Sequence, residues 1–241
     1  MSENTKAAKA VEKVDADYSL EAVPESARKG FWNMFFVMVG FTFFSASMSV
    51  GAKLGNGLDL SGFIWACIIG GVILSAYCGV LAFIGASTGM TMDLLCRRAF
   101  GTKGSYLSSF LLGFTQIGWF GVGVAMFSIP AAELLGVNEW VLTIIAGLLM
   151  TATAATGMKG LEIVAYISVP LIVILGVYSM ITAGVEGGGL AAIFGQSAGK
   201  ISLFTGVGYV IGSFISGGTA TPNFIRFAKK RKVAVWTTVI A

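Results

Sequence analysis

The sequence contains no histidine and few charged residues of either sign. Asp, Glu, Lys and Arg together make up 12% of its 241 residues, about half of the share that is usual in a soluble domain. Without an imidazole, the chain cannot form a Ser–His pair or a histidine-ligated metal site. The segment GASTG, from Gly85 to Gly89, fits the pattern of a nucleophile elbow but lacks the histidine that would activate its serine. We therefore expect that the protein is not an enzyme.

Cysteine is also scarce, with three residues in the chain. Cys67 and Cys78 lie eleven residues apart within one predicted helix, which separates them by roughly 16 Å along its axis. The Cα atoms of a disulfide lie within about 7 Å of each other, so these two residues cannot pair. We expect the cysteines to be small apolar packing residues, and we expect no bound cofactor.

Apolar residues, in contrast, are abundant: 56% of the chain is hydrophobic, and its mean hydropathy is +0.83. They form long runs, and a helix needs about 20 such residues to cross a bilayer. The runs predict an all-α polytopic membrane protein with a transmembrane domain at 30–241, preceded by a disordered cytoplasmic tail at 1–29. The predicted spans cover about 31–52, 61–87, 105–128, 139–157, 161–184 and 201–225, with a partial span at 233–241.

The basic residues are distributed unevenly between the predicted loops. When alternate loops are assigned to opposite sides of the membrane, 14 of the 16 Lys and Arg residues lie on the side of the N-terminal tail. Cytoplasmic loops of membrane proteins carry such an excess of Lys and Arg. The asymmetry predicts a cytoplasmic N-terminus, and it explains the basic cluster at 226–232 better than binding to nucleic acid does.

Two of the predicted spans contain similar interruptions. Gly40–Ser47 reads GFTFFSAS in the first span, and Gly212–Thr219 reads GSFISGGT in the sixth. Interrupted helices at corresponding places in two halves of a chain point to the binding site of a secondary transporter, because unwound backbone is tolerated at membrane depth where it lines a cavity. We predict breaks near Phe43–Ala46 and Phe214–Gly218.

The spacing of the two interruptions also predicts the architecture. The second interruption follows after five spans, and an odd number of spans in each repeat inverts the second repeat relative to the first. The last apolar segment, 233–241, has nine residues, too few to cross a bilayer. We expect a five-plus-five inverted-repeat transporter fold, of which this truncated chain carries the first repeat, the sixth helix and the start of the seventh.

Gln116 and Trp119 lie three residues apart in the third span and therefore share one helix face. Glutamine offers a donor and an acceptor side by side, and tryptophan offers a flat stacking surface, so the pair suits a planar solute with adjacent donor and acceptor atoms. The alternative is an interfacial tryptophan beside a glutamine that bonds to a neighbouring helix. We favour binding because the pair lies near the middle of the span.

Phe214 and Ser216 lie at the predicted break of the sixth span. Unwound backbone from Ser216 to Thr219 would be able to bind a ligand there. The alternative is close helix packing by small residues, which is common in membrane proteins. The similar interruption in the first span favours a binding site.

The predicted spans show no ionisable side chain at membrane depth. Proton-coupled carriers usually keep an Asp, Glu or His there, whereas a cation can be held by backbone carbonyls, hydroxyls and helix ends. The sequence therefore favours Na⁺ over a proton as the coupling ion.

Three long segments carry a family resemblance. They read RKGFWNMFFVMVGFTFFSASMSVGAKLG, LLGFTQIGWFGVGVAMFSIP and VIGSFISGGTATPNFIRF. In this order they resemble the bacterial cytosine permeases of the nucleobase–cation symporter family, and the similarity runs from about Val23 to Ala241. The resemblance implies two five-helix inverted repeats plus two further helices, in a multi-pass protein of the bacterial inner membrane.

The resemblance also implies a substrate site. Cytosine would stack between Trp119 and Phe214, and Gln116 and Ser216 would hydrogen-bond to its polar edge. Asn and Thr side chains of an eighth span would complete the site.

A site for Na⁺ is implied in the same way, at the main-chain carbonyls of Gly40 and Phe43. The implied function is import of cytosine by Na⁺ symport through alternating access. The alternatives are a carrier of another ring compound (a hydroxymethylpyrimidine, a purine or a hydantoin), a passive channel, and an inactive fragment.

Overall fold

The computed structural model describes residues 17–44, 46–195 and 199–241. Within these ranges the chain forms α-helices joined by short connections, and a 3-10 turn at Glu25–Ala27 precedes them. The α-helices are α1 Phe31–Thr42, α2 Ala46–Gly57, α3 Leu60–Thr88, α4 Met92–Leu135, α5 Glu139–Ala155, α6 Gly157–Glu186, α7 Leu190–Gly195, α8 Leu203–Thr219, α9 Thr221–Ile225 and α10 Arg231–Ile240.

α3 lies within one residue of the predicted second span, and its ends have clear chemical causes. Asp59 precedes it and accepts a hydrogen bond from the Gly62 amide at 3.0 Å, which satisfies one of the free amides of the first turn. Gly89 follows the helix with φ +68°, a left-handed conformation that glycine adopts without steric cost.

α4 is much longer than the predicted third span. It begins at Met92, inside the predicted cytoplasmic loop, and continues across a kink at Gly101, where φ is +71°. Pro130 lies inside the helix and does not end it. Membrane helices tolerate an internal proline because neighbouring groups can satisfy the freed carbonyl, and α4 ends at Leu135, before a left-handed Gly136.

The predicted break in the first span is present. α1 ends at Thr42, α2 begins at Ala46, and the axes of the two helices differ by 58°. Phe43 has a non-helical backbone with φ −77° and ψ 87°. Ser45, which belongs to the predicted break, lies outside the described residues.

The predicted break at Phe214–Gly218 is wrong. α8 continues through these residues to Thr219, and the helix is interrupted instead at Ala220. Pro222 favours an interruption at this position, because a proline has no amide to donate to the carbonyl four residues earlier. Gly218 instead allows α8 to pack closely against α3, because a Cβ on Gly218 would lie 2.7 Å from the Cys78 sulfur of α3.

Part of the predicted disordered tail is also packed against the helices. Residues 17–29 are described, and Val23 is only 2% exposed within the main core cluster. Its amide donates to the Gly89 carbonyl at 2.9 Å. Composition suggested disorder because this segment has few apolar residues, but its main chain is held by hydrogen bonds. Residues 1–16 of the predicted tail lie outside the described residues.

The helices have the length and composition of a polytopic membrane protein. Three of those described, α3, α4 and α6, are long and apolar enough to cross a membrane, and the bent pair α1–α2 adds a fourth candidate. α5 and α8 are apolar but have 17 residues each; such a helix is about 25 Å long, slightly shorter than the ~30 Å hydrocarbon core. The sequence had predicted six complete spans.

α3 is the central packing element, in contact with α8, α9 and α10. The main core cluster contains Met34 and Met38 of α1, Ala82 of α3 and Ile225 of α9. α4 in turn contacts α5 and α8. This arrangement places the middle of α4 opposite the last turns of α8, beside the break between α1 and α2.

Gly85 marks a close approach of α3 to α9. A Cβ on Gly85 would lie 3.0 Å from both Pro222 Cα and Ile225 Cγ2. We expect Gly85→Ala to have a free energy of unfolding about 1–3 kcal/mol below that of Gly71→Ala, because overpacking costs that much. Gly71 is the matched control, since it lies on the same helix with no described atom within 4 Å of its Cβ position. Thermal unfolding of the two variants in detergent measures the difference, and equal midpoints would contradict the close approach.

Candidate substrate-binding site

A cavity of about 260 Å³ lies between α4, α8 and the break that follows α1. The four residues predicted to bind substrate all line it: Gln116 and Trp119 from α4, and Phe214 and Ser216 from α8. The described residues that line it are Phe41, Phe44, Gln116, Trp119, Phe120, Gly123, Met150, Ser213, Phe214, Ser216 and Gly217.

Ser216 is the polar centre of this cavity. Its hydroxyl accepts a hydrogen bond from the Trp119 indole Nε1 at 2.7 Å, and its carbonyl accepts one from Gln116 Nε2 at 3.1 Å. The bond from Gln116 to the Ser216 carbonyl joins α4 to α8, which is the contact between helices that the alternative interpretation of Gln116 predicted. The same bonds fix the indole plane and the amide at the cavity wall, where a planar ligand would meet them.

Three aromatic residues that line the cavity were missed by the sequence analysis: Phe41, Phe44 and Phe120. Phe44 meets Trp119 edge to face, with ring centroids 5.6 Å apart and planes at 82°, and Phe41 meets Phe214 at 5.4 Å and 64°. The signal was present, since Phe41 and Phe44 lie on either side of the end of α1. Without the helix end fixed, the sequence could not distinguish Phe44 from Phe43, whose side chain is 51% exposed.

The predicted Na⁺ ligands lie at the end of α1, outside the lining of this cavity. Gly40 packs against α6, where its Cβ would be 3.2 Å from the Ala165 Cβ. Carbonyls of the last helical turn have no partner within the helix, although here the Phe43 amide donates to Val39 O at 2.8 Å. The C-terminal end of a helix carries partial negative charge, which would favour a cation there, and the roles of Gly40 and Phe43 as Na⁺ ligands stay predictions.

The cavity suits a neutral, planar ligand. Its described lining residues are aromatic, small, or polar without charge. Rings offer stacking surfaces, and an amide and hydroxyls offer hydrogen bonds of both senses. A charged ligand would lose its hydration here without gaining an opposite charge.

A second polar cluster lies at the start of α6 and was not found from the sequence. Glu162, 9% exposed, forms an ion pair with Lys29 and accepts a hydrogen bond from Asn33 of α1. Burial lowers the pKa of Lys29, Asp17 opposes that effect and Lys159 adds to it. Glu162 escaped notice because it directly precedes the apolar run that begins at Ile163.

Comparison with known proteins places the chain in a family. A family model described as permease for cytosine/purines, uracil, thiamine, allantoin matches residues 22–241. The chain belongs to this family. The predicted membership is confirmed, and the family is one of permeases rather than enzymes.

Curated relatives agree. The cytosine permease of Escherichia coli strain K12 is 46% identical to this permease chain over 228 residues, which are 94% of this chain and 54% of that protein. The cytosine permeases of Escherichia coli O6:H1 and O157:H7 give the same values. The chain therefore spans about half the length of the curated relatives that it matches.

A solved structure shares the fold. Mhp1, a nucleobase-cation-symport-1 family transporter in a closed conformation with bromovinylhydantoin bound, matches with a TM-score of 0.79 at 16% identity, over 92% of this chain and 52% of that chain. The predicted class is confirmed: this is an all-α polytopic membrane protein with the inverted-repeat transporter fold, and it covers about half of that fold.

Proposed function

We propose that this permease imports cytosine together with Na⁺ through alternating access. The observation that carries the proposal is the uncharged cavity in which Gln116, Trp119, Phe214 and Ser216 meet. The 46% identity to a cytosine permease supports the choice of base. The distribution of Lys and Arg supports a cytoplasmic N-terminus, and we propose the bacterial inner membrane as its location.

The base would enter as a flat ring between Trp119 and Phe214. Stacking of a base on an aromatic side chain contributes ~1–3 kcal/mol. The exocyclic amine of cytosine is a donor, and its N3 and O2 are acceptors, so the Gln116 amide and the Ser216 hydroxyl can pair with such an edge. We propose that the base displaces Phe44 from the indole of Trp119, because the two rings are in contact at 5.6 Å.

Na⁺ would enter as the co-substrate at the end of α1. The main-chain carbonyls of Gly40 and Phe43 are its proposed ligands, and an ion there would hold the non-helical Phe43 backbone. Because Phe44 directly follows Phe43 in the break, occupancy by Na⁺ would also order one wall of the base cavity. This gives a physical route from ion binding to base binding.

Uptake into proteoliposomes containing the full-length protein tests the proposal. A tenfold inward Na⁺ gradient is worth ~1.4 kcal/mol for each ion, so one Na⁺ for each cytosine should drive about tenfold accumulation of the labelled base. Replacement of Na⁺ by K⁺, or dissipation of the gradient with a Na⁺ ionophore, should abolish accumulation. A passive channel would only equilibrate cytosine, and a proton-coupled carrier would follow an imposed pH gradient instead.

The second candidate is a carrier of another ring compound. The family description includes purines, uracil, thiamine and allantoin, and the structural neighbour holds a substituted hydantoin. Competition for labelled cytosine by an unlabelled panel of these compounds separates the two. Cytosine is the preferred substrate if unlabelled cytosine displaces the labelled cytosine at a lower concentration than the other compounds do.

A further inference from the structure

Residues 17–29, here called the strap, run across one end of the helix bundle and are fixed there by their main chain. The Val23 amide donates to the Gly89 carbonyl at 2.9 Å, and the Lys29 amide donates to the Phe227 carbonyl at 2.6 Å. The Lys29 carbonyl in turn accepts from the Lys229 amide at 2.9 Å. These bonds attach the strap to the end of α3 and to the connection between α9 and α10.

The described hydrogen bonds and ion pair between the strap and α6 use the charged side chains of Asp17 and Lys29, whereas on the α3 side the Arg28 guanidinium adds one bond, to the Ala86 carbonyl at 3.0 Å, to the main-chain bonds. The Asp17 carboxylate accepts a hydrogen bond from the Met158 amide, at 3.0 and 3.2 Å to its two oxygens. The Lys29 ammonium pairs with Glu162, which also accepts from Asn33 of α1. The first turns of α6 are therefore docked on the strap and on α1.

Asp17 performs the function of a helix cap from a distant part of the chain. Thr156 precedes α6 but makes no side-chain capping bond, and a carboxylate at the positive end of a helix is favourable. Gly157, with φ +70°, lets Asp17 approach, since a Cβ there would collide with the carboxylate. The Arg226 guanidinium holds Asp17 in place by donating to its carbonyl at 2.5 Å.

We propose that the strap is a latch that closes this end of the bundle between α1 and α6. The inference rests on the proposed function, because it assumes that the two helices separate during alternating access. Breaking the main-chain bonds of the strap would expose amides and carbonyls that need partners. The charged side chains of Asp17, Lys29 and Glu162 regain hydration when water enters. The strap and α1 therefore separate from α6 at this boundary.

Opening at this boundary leads to the substrate cavity. α1 runs from the latch at Asn33 to Phe41, which lines the cavity. Between these points α1 packs on α6 through Gly40, whose Cβ would lie 3.2 Å from Ala165 Cβ and 3.6 Å from Val169 Cγ2. The packed interface between α1 and α6 separates the cavity from this end of the protein. When the latch releases, these two helices can move apart and open a path to the cavity.

A buried cysteine at position 169 reports the opening. Val169 is 5% exposed, and Val169→Cys in the full-length protein without its native cysteines is alkylated only when α1 and α6 separate. We expect Glu162→Gln to raise the alkylation rate by a membrane-impermeant maleimide applied from the strap side about tenfold, which corresponds to ~1.4 kcal/mol. Asp17→Ala should have the same effect and serves if Glu162→Gln folds poorly.

Matched controls exclude a general loosening of the helices. Glu186→Gln changes the same residue type at the other end of α6, and Asp59→Ala removes the corresponding cap of α3; neither should change the rate. The double variant Lys29→Glu with Glu162→Lys exchanges the two charges of this ion pair. It should restore slow alkylation. An unchanged rate in monodisperse Glu162→Gln and Asp17→Ala variants, an equal rise in the controls, or failure of the exchange to restore slow alkylation overturns the proposal.

Alkylation without cytosine and Na⁺ separates this inference from the proposed function. If the latch variants alter the rate while the wild type does not bind cytosine, the latch stands and the substrate assignment fails. If cytosine binds but the latch variants react like the wild type, the latch fails alone.

Discussion

Trp119→Ala should weaken cytosine binding by about 5- to 150-fold. Stacking of a base on an aromatic ring contributes ~1–3 kcal/mol, and a factor of ten corresponds to ~1.4 kcal/mol. The indole also donates to Ser216 Oγ at 2.7 Å, so its removal releases the hydroxyl that we assign to the polar edge of the base. Equilibrium binding of labelled cytosine to the purified full-length variant measures the loss.

Two further variants make the Trp119 result specific. Trp119→Phe keeps a stacking surface without the indole donor and should bind with intermediate affinity. Trp140→Ala removes a tryptophan that is 68% exposed at the start of α5 and should bind like the wild type. Wild-type affinity in Trp119→Ala would show that the base lies elsewhere.

Gln116→Leu should weaken cytosine binding by about 5- to 150-fold. Leucine has nearly the shape of glutamine but neither donor nor acceptor, so the polar edge of the base would be desolvated without a partner, at a cost of ~1–3 kcal/mol. The bond from Gln116 to the Ser216 carbonyl is lost as well. Isothermal titration or competition binding measures the change.

The neighbouring Thr115 provides the control for Gln116. Its hydroxyl donates to the Leu111 carbonyl of its own helix at 2.6 Å, and it is exposed. Thr115→Val should therefore retain wild-type affinity. If Gln116→Leu binds cytosine as well as Thr115→Val does, the glutamine only joins α4 to α8.

Local patterns in the sequence predicted the helices and the shared face of Gln116 and Trp119, whereas the meeting of this pair with Phe214 and Ser216 was implied by the family resemblance. Long apolar runs require helices in a membrane, and the spacing of Gln116 and Trp119 sets their common face. Phe214 and Ser216 are two residues apart, and both line the cavity although α8 is unbroken around them. Their roles in binding stay predictions.

What the sequence could not show depends on contacts between distant segments. The strap has the composition of a disordered tail, but Val23 and Lys29 are held through main-chain atoms, which composition does not reveal. Glycine-rich segments are compatible with both unwound backbone and close packing, and at Gly217–Gly218 we chose the wrong one. Pro222 contained the information that the helix ends at Ala220.

Pro222 also distinguishes the two interruptions of the helices. A missing amide is a covalent property, so Pro222 lacks the hydrogen bond to the carbonyl four residues earlier in every conformation. The stretch between Thr42 and Ala46 contains no proline, so its sequence has every main-chain amide that a continuous helix needs. The two interruptions therefore differ in kind: the second lacks a main-chain donor, and the first has all of its donors.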